Sequence, residues 1–267
     1  MKRCKPGSDP MNPVPDRVCL LGLSFASLTA AGAAAWIASR PADAPFCYVV
    51  TPNADHLVRM DRDPPLRAIY RDAAMCLLDS RVVAGLGRLF GLAMPDVVPG
   101  SDLTAHLLVH CLRPGERITI VGLAPAWLPA LTDRCGLAPP AHFDPPMGFE
   151  HDPAAFAAAV AFVRANPARF IVFAVGSPRQ EMLAAAILAA GGTTGTGLCA
   201  GASLAFLAGA QRRAPVFMRR IGMEWLFRLG CDPRRLFRRY LIDSPAIIGL
   251  LWRQRPARAA AGRTPRV

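Results

Sequence analysis

The stretch RFIVFAVGSPRQEMLAAAIL, Arg169–Leu188, passes from an unbroken apolar run through Gly-Ser-Pro into a segment patterned like a helix. A short apolar run with no polar interruption is the mark of a strand covered on both faces, as strands of parallel sheets are. The same device recurs along the chain. FCYVV leads into TPNADHLVRM and ITIVG into LAPAWLPAL, while VVPGSDLTAHLL opens a helix in the same way. Strands alternating with helices predict an α/β, Rossmann-like fold, a largely parallel sheet with helices on both faces. In such sheets ligands bind beyond the carboxyl ends of the strands, where these turns fall.

The turns themselves carry local signals. Ser177-Pro178-Arg179-Gln180 matches a capping box, with Ser177 as N-cap, Pro178 at the first helical position and Gln180 reaching back. Thr51-Pro52 reads the same way, and Gly100-Ser101-Asp102 reads as a helix start. Asp79, closing the apolar run in AMCLLDSRVV, is either an N-cap or a carboxylate aimed at the strand-end rim. Helix N-termini placed there offer free N–H groups and a positive dipole, so capping alone and capping with an anionic ligand both fit.

A chain of 267 residues can hold one α/β domain and an appendage. The net charge is +12, and from Arg212 to Arg266 there are 14 arginines against three acids, so nearly all the excess lies in the last fifth of the chain. We therefore divide the sequence into a disordered tail at 1–16, which carries four prolines, a catalytic α/β domain at 17–211, a basic C-terminal helical appendage at 212–256 and a disordered tail at 257–267. Within EWLFRLGCDPRRLFRRYL, Glu224–Leu241, Asp232 is a good N-cap for a helix running from Pro233 toward Pro245. Arg234, Arg235, Arg238 and Arg239 would share one face, opposite Leu236, Phe237, Tyr240 and Leu241. A core-packed helix with a solvated basic face explains that pattern. The scarcity of acids across the whole segment points instead to an anionic partner: bilayer, polyphosphate or nucleic acid. No RNP, zinc-finger or helix-turn-helix signature accompanies the charge.

Eight scattered cysteines with no CxxC spacing suggest buried, reduced thiols and a cytosolic setting. Val18–Ser39 has no charged residue and is long enough to span a membrane. Its Gly, Ser and Thr content, with Ser27 or Thr29 as a cap, favours a strand, a turn and an Ala-rich buried helix. GxxxxGK[ST], GxGxxG after a strand, HExxH and GxSxG are all missing from the sequence, and GTGLCAG lacks the last glycine at the right spacing. His106 and His110 lie four apart without an evident third ligand, so they read as surface histidines.

Taken together, TPNADH, Asp79 with DSRVV, PGSDL, VGSPRQE, GASLAFLAGAQRRAP, GMEWLFRL and DPRRLFRRYL resemble the WecG/TagA/CpsF-type bacterial glycosyltransferases, glycosyltransferase family 26, from about Arg17 to Leu241. The resemblance implies an inverting transfer from a UDP-sugar, with N-acetylmannosamine-type, glucuronic acid or glucose donors, to a polyprenyl-diphosphate-linked saccharide at the cytoplasmic membrane face. It implies no metal and no further cofactor. Carried over by position, Asp79 is the general base, and Thr51, Asn53, Ser101, Asp102, Ser177, Gln180, Glu181 and Arg213 bind substrate. Arg228, Arg234, Arg235, Arg238 and Arg239 serve substrate diphosphate or an anionic membrane surface, and homo-oligomers are left open. The chain departs from the pattern at three points. Asp79-Ser80-Arg81-Val82 stands where many members read DGxG, Val97 where an arginine is usual, with Arg81 read as its substitute, and Ala205 where Asp is common. A relative without activity that binds the nucleotide sugar or the assembly machinery, and a basic nucleic-acid-binding protein, are the competing readings; the leading reading expects no nucleic-acid partner.

Overall fold

The computed structural model describes residues 16–255, so the tail expected at 257–267 and all but Asp16 of the tail expected at 1–16 lie outside the described residues. The chain opens with a hairpin, β1 (Arg17–Leu20) and β2 (Leu23–Ala26), then α1 (Ala30–Ser39) and β3 (Cys47–Val50). Next come α2 (Ala54–Arg62), α3 (Pro64–Asp72), β4 (Met75–Cys76), α4 (Arg81–Leu89), α5 (Gly100–His106) and β5 (Thr119–Val121). They are followed by α6 (Leu128–Cys135), β6 (Ala141–Phe143), α7 (Pro153–Ala165), β7 (Phe170–Phe173), α8 (Arg179–Ala190), β8 (Thr196–Cys199) and α9 (Ser203–Ala208). The basic C-terminal segment supplies α10 (Val216–Arg220), α11 (Glu224–Cys231), α12 (Pro233–Phe237) and α13 (Ala246–Gln254).

Six strands form one parallel sheet in the order β4-β3-β8-β7-β5-β6. Alternate residues of each strand enter separate cores, which is the physical content of a doubly covered sheet. Tyr48, Val50, Ile171 and Phe173 pack under α2, α3, α4, α7, α8 and α13. Cys47, Val49, Phe170 and Val172 pack under α1, α5, α6 and α9. The expected class, with helices on both faces, is the one observed.

Several local expectations are corrected. Val18–Ser39 holds two strands before its helix rather than one, because Leu21 and Gly22 both take positive φ, 49° and 77°, and close a two-residue hairpin turn. A leucine in that region is uncommon, so LLGL gives no ordinary hairpin signal. Thr29, not Ser27, caps α1, and no helix among the described residues is long and apolar enough to cross a membrane. Ser177 is not the N-cap of α8: Pro178 holds that position without a side-chain cap, and Gln180 turns elsewhere. Thr51 likewise gives way to Asn53, whose side chain accepts from the N–H groups of Asp55 and His56. Asp79 is not a cap of its own helix, since Ser80 caps α4 by accepting from Val83 N–H at 3.2 Å. The thiol reading fails at Cys19, which is disulfide-bonded; Cys47, Cys76, Cys111, Cys135, Cys199 and Cys231 are in no disulfide, and Cys4 lies outside the described residues.

The single helix expected after Asp232 starts at Pro233 but passes into π-helical turns at Arg238–Asp243. Its apolar face is not core-packed, as Phe237 and Leu241 remain 54% and 45% exposed. α13 behaves oppositely. Ile247, Leu250 and Leu251 are buried in the first core, and Gln254 accepts a hydrogen bond from Leu21 N–H at 2.7 Å.

Candidate active site

The strand ends place the polar residues. β3 runs into Thr51-Pro52-Asn53, and β4 runs through Leu77 and Leu78 to Asp79. Asp79 is held on both sides: its N–H donates to Pro52 O at 3.0 Å, and its Oδ2 accepts from Gly100 N–H at 3.1 Å. Gly100 opens α5 so close to β3 that a Cβ there would lie 2.7 Å from Thr51 Oγ1. This contact favours glycine at position 100, and Thr51 is itself buried.

Beside Asp79 opens a cavity of about 470 Å³. Asn53, Asp55, Asp79 and Asp102 form its floor, and Arg213, Arg219, Glu224 and Arg228 reach over it from the C-terminal segment. Ser244 and Ile247 close one side and Val97 and Arg81 another. Four carboxylates thus face one space, and three are matched to arginines. Asp55 pairs with Arg59 at 2.6 Å, Asp102 with Arg213 at 2.6 Å and Arg219 at 3.7 Å, and Glu224 with Arg228. Among the described residues, Asp79 has no arginine at ion-pairing distance. Burial pushes its carboxyl up to about 6, against the Gly100 N–H and the Arg228 charge, which favour the anion, and with the negative charges of Glu224 and Asp102, which oppose it.

The arginines are poised for an anion. Nε of Arg213 and of Arg219, and Ser244 Oγ, are shielded from solvent without a hydrogen-bond partner among the described residues. Such groups cost about 1–3 kcal/mol each when left unsatisfied, so an acceptor entering the cavity would be strongly favoured. Arg228 also lies over the Phe206 ring at 5.0 Å, which fixes its guanidinium at the cavity wall.

Of the residues expected from sequence, Asn53, Asp79, Asp102, Arg213 and Arg228 meet around this cavity. Thr51 and Ser101 are buried behind it. Ser177 stands on the neighbouring strand end, its Oγ 3.5 Å from an Arg59 guanidinium nitrogen and 3.4 Å from the Tyr70 hydroxyl. Gln180 accepts from Gly201 N–H at 2.9 Å and donates to Glu181 Oε1 at 2.8 Å, tying α8 to the turn after β8. Glu181 is buried, and burial raises its carboxyl above the usual range despite the Gln180 amide. Arg234 and Arg238 project to solvent away from the cavity, while Arg235 and Arg239 fall within α12 and the π-helical turns. Arg219, Glu224 and Ser244 were not anticipated individually; the arginine excess flagged the first, and nothing local marks Ser244. Among the described residues no group of three or more His, Cys, Asp or Glu side chains is placed to hold a metal, and the rings of His106 and His110 lie tilted to each other with centroids 4.8 Å apart.

The match to known proteins is extensive: the glycosyl transferase WecG/TagA/CpsF family aligns with residues 18–261.

Proposed function

Because the chain belongs to the WecG/TagA/CpsF family of glycosyltransferases, which act in cell-envelope glycan synthesis, we propose that it is an inverting, metal-independent enzyme that moves a sugar from a UDP-sugar onto a polyprenyl-diphosphate-linked saccharide. The observation that supports this most directly is the asymmetry of the cavity carboxylates. Asp55, Asp102 and Glu224 are neutralised by arginine, whereas Asp79 is not and sits near 6. A carboxylate with that affinity is ionised at neutral pH yet basic enough to draw the proton from an attacking hydroxyl. The acceptor oxygen bonds to the anomeric carbon, the bond from that carbon to the UDP oxygen breaks, and Asp79 keeps the proton.

The departing diphosphate needs positive charge. Arg213, Arg219 and Arg228 offer it beside Asp79, and Asp102 and Glu224 hold them in place until the anion competes for their N–H groups. Asn53 and Asp102 line the donor side, and Thr51, Ser101, Ser177, Gln180 and Glu181 keep the neighbouring strand ends in shape for it. The membrane part of the proposal rests on a second surface. Phe217, Ile221, Phe237 and Ile242 are each more than half exposed on the basic segment, alongside the exposed Arg234 and Arg238. Apolar side chains ringed by arginine suit the headgroup region of an anionic bilayer. This reading places the enzyme on the inner membrane face.

The test is transfer by purified protein from a panel of UDP-sugars to a short-chain polyprenyl-diphosphate sugar, read by mass spectrometry beside Asp79→Asn. One added sugar, lost in the variant, is the expected result. UDP-sugar binding with no product from any donor would instead identify a binding protein without transferase activity.

A further inference from the structure

On the other side of Arg81 and Val97 from the catalytic cavity lies a second cleft of about 490 Å³, into which Arg88, Asp96, Thr29 and Ile221 also face. Two arginines dominate its charge. Arg81 and Arg88 are seven residues apart, two helical turns, and so share one face of α4. Both are exposed, and neither makes an ion pair among the described residues. The carboxylate of the cleft, Asp96, accepts from Ser27 Oγ–H at 3.1 Å.

Helix stability does not account for this pair. Arg88 in the last turn of α4 complements the helix dipole, but Arg81 occupies the first turn, where a cation opposes it. Gly222, at φ 78°, packs beside Arg81, an added Cβ there lying in van der Waals contact with Arg81 Cβ at 3.4 Å. The amino end of α1, capped by Thr29, adds its positive pole to the same cleft. At the margin stands an exposed apolar side chain, Ile221 at 63%. A cationic cleft with an apolar lip suits an anionic head that continues into a hydrocarbon chain.

We propose that Arg81 and Arg88 form a second diphosphate subsite, which holds the prenyl diphosphate of the acceptor while the donor diphosphate occupies the cavity across the Arg81–Val97 wall. This rests on the transferase reading above. It gives the two anionic substrates separate cation sets, with Asp79 adjoining the wall between them.

Calorimetric titration of the full chain with farnesyl diphosphate, inorganic pyrophosphate and UDP tests it without requiring turnover. In Arg88→Ala, farnesyl diphosphate should bind about tenfold more weakly, the loss of one charge-assisted contact, with UDP binding unchanged. Ile221→Ser should weaken farnesyl diphosphate and not pyrophosphate. Unchanged farnesyl diphosphate binding in Arg88→Ala, an equal loss for UDP, or no binding by the wild type would overturn the subsite. Pyrophosphate binding as tightly as farnesyl diphosphate would overturn its assignment to a lipid-linked ligand. If Arg88-dependent binding is found and transfer is not, the subsite stands and the catalytic reading falls.

Discussion

Asp79 illustrates how a single side chain can be costly to the fold and required for chemistry. Its carboxyl rises to about 6 from a usual value near 3.8, chiefly through burial. A folded-state value above the unfolded one means that the native protein binds the extra proton between those two values. Stability therefore falls as pH rises through that window. Asp79→Asn keeps an acceptor for Gly100 N–H and removes the charge, so the variant should be more stable at pH 7 by about 3 kcal/mol, measured by urea unfolding. Its transfer rate should drop by about 10²–10⁴, the scale of a lost general base. In the wild type, kcat should rise through about pH 6 and level above it. A flat profile across that range would remove Asp79 as the base. Stability gained together with activity lost separates a reacting group from a merely structural one.

At the scale of elements, two polar ties carry unequal weight. Arg169 at the start of β7 is buried, and its guanidinium donates from Nε and Nη2 to the Glu116 carboxylate, both at 2.6 Å, and also to Ala38 O and Cys111 O. One side chain thereby joins α1, the turn ahead of β5 and β7. The arginine holds the Glu116 carboxyl below the usual range, so the stability from this pair is present above the unfolded value and is lost as pH falls through the folded one. Glu116→Ala should destabilise by about 3–5 kcal/mol, because it strands a buried charge. The Asp102 tie to Arg213 and Arg219 is more open, its carboxylate being 37% exposed. Asp102→Asn should cost under about 1 kcal/mol globally but speed amide exchange in 212–231 relative to the sheet. Unchanged exchange there would mean that α5 does not anchor the roof of the cavity.

The whole molecule couples the basic segment to the first core through α13. Ile247, Leu250 and Leu251 are buried with residues of β1 and α2, and each such side chain is worth about 1.5–3 kcal/mol. Removing residues 246–267 should therefore lower stability by several kcal/mol, so deletion of the segment cannot isolate membrane docking. Substitution of exposed side chains can. Phe217→Ser with Phe237→Ser should abolish pelleting with anionic liposomes while leaving the urea midpoint nearly unchanged; undiminished pelleting would sink the proposed docking face.

Strands β3, β5 and β7 and the helices that follow them were legible in the chain, because an apolar run buried on both faces and a helix with one buried stripe are patterns written in neighbouring residues; the three-residue β6 and the glycine-bearing β8 carry no such run. RFIVFAV and FCYVV became β7 and β3, and Asp79 and Arg213 were recognisable by the motifs around them. What needed the tertiary structure was every choice between partners distant along the chain. Gln180 could have capped its own helix, yet it bonds to Gly201 because β7 and β8 are neighbours. Asn53 rather than Thr51 caps α2, which begins at Ala54, while Thr51 is buried against Gly100 of α5. Val97, Arg81 and Ser244 meet at one site only because α4, α5 and α13 converge at the same end of the sheet. Local pattern specifies elements through short-range burial and hydrogen bonding; a site is made by contacts whose energies depend on how those elements are brought together.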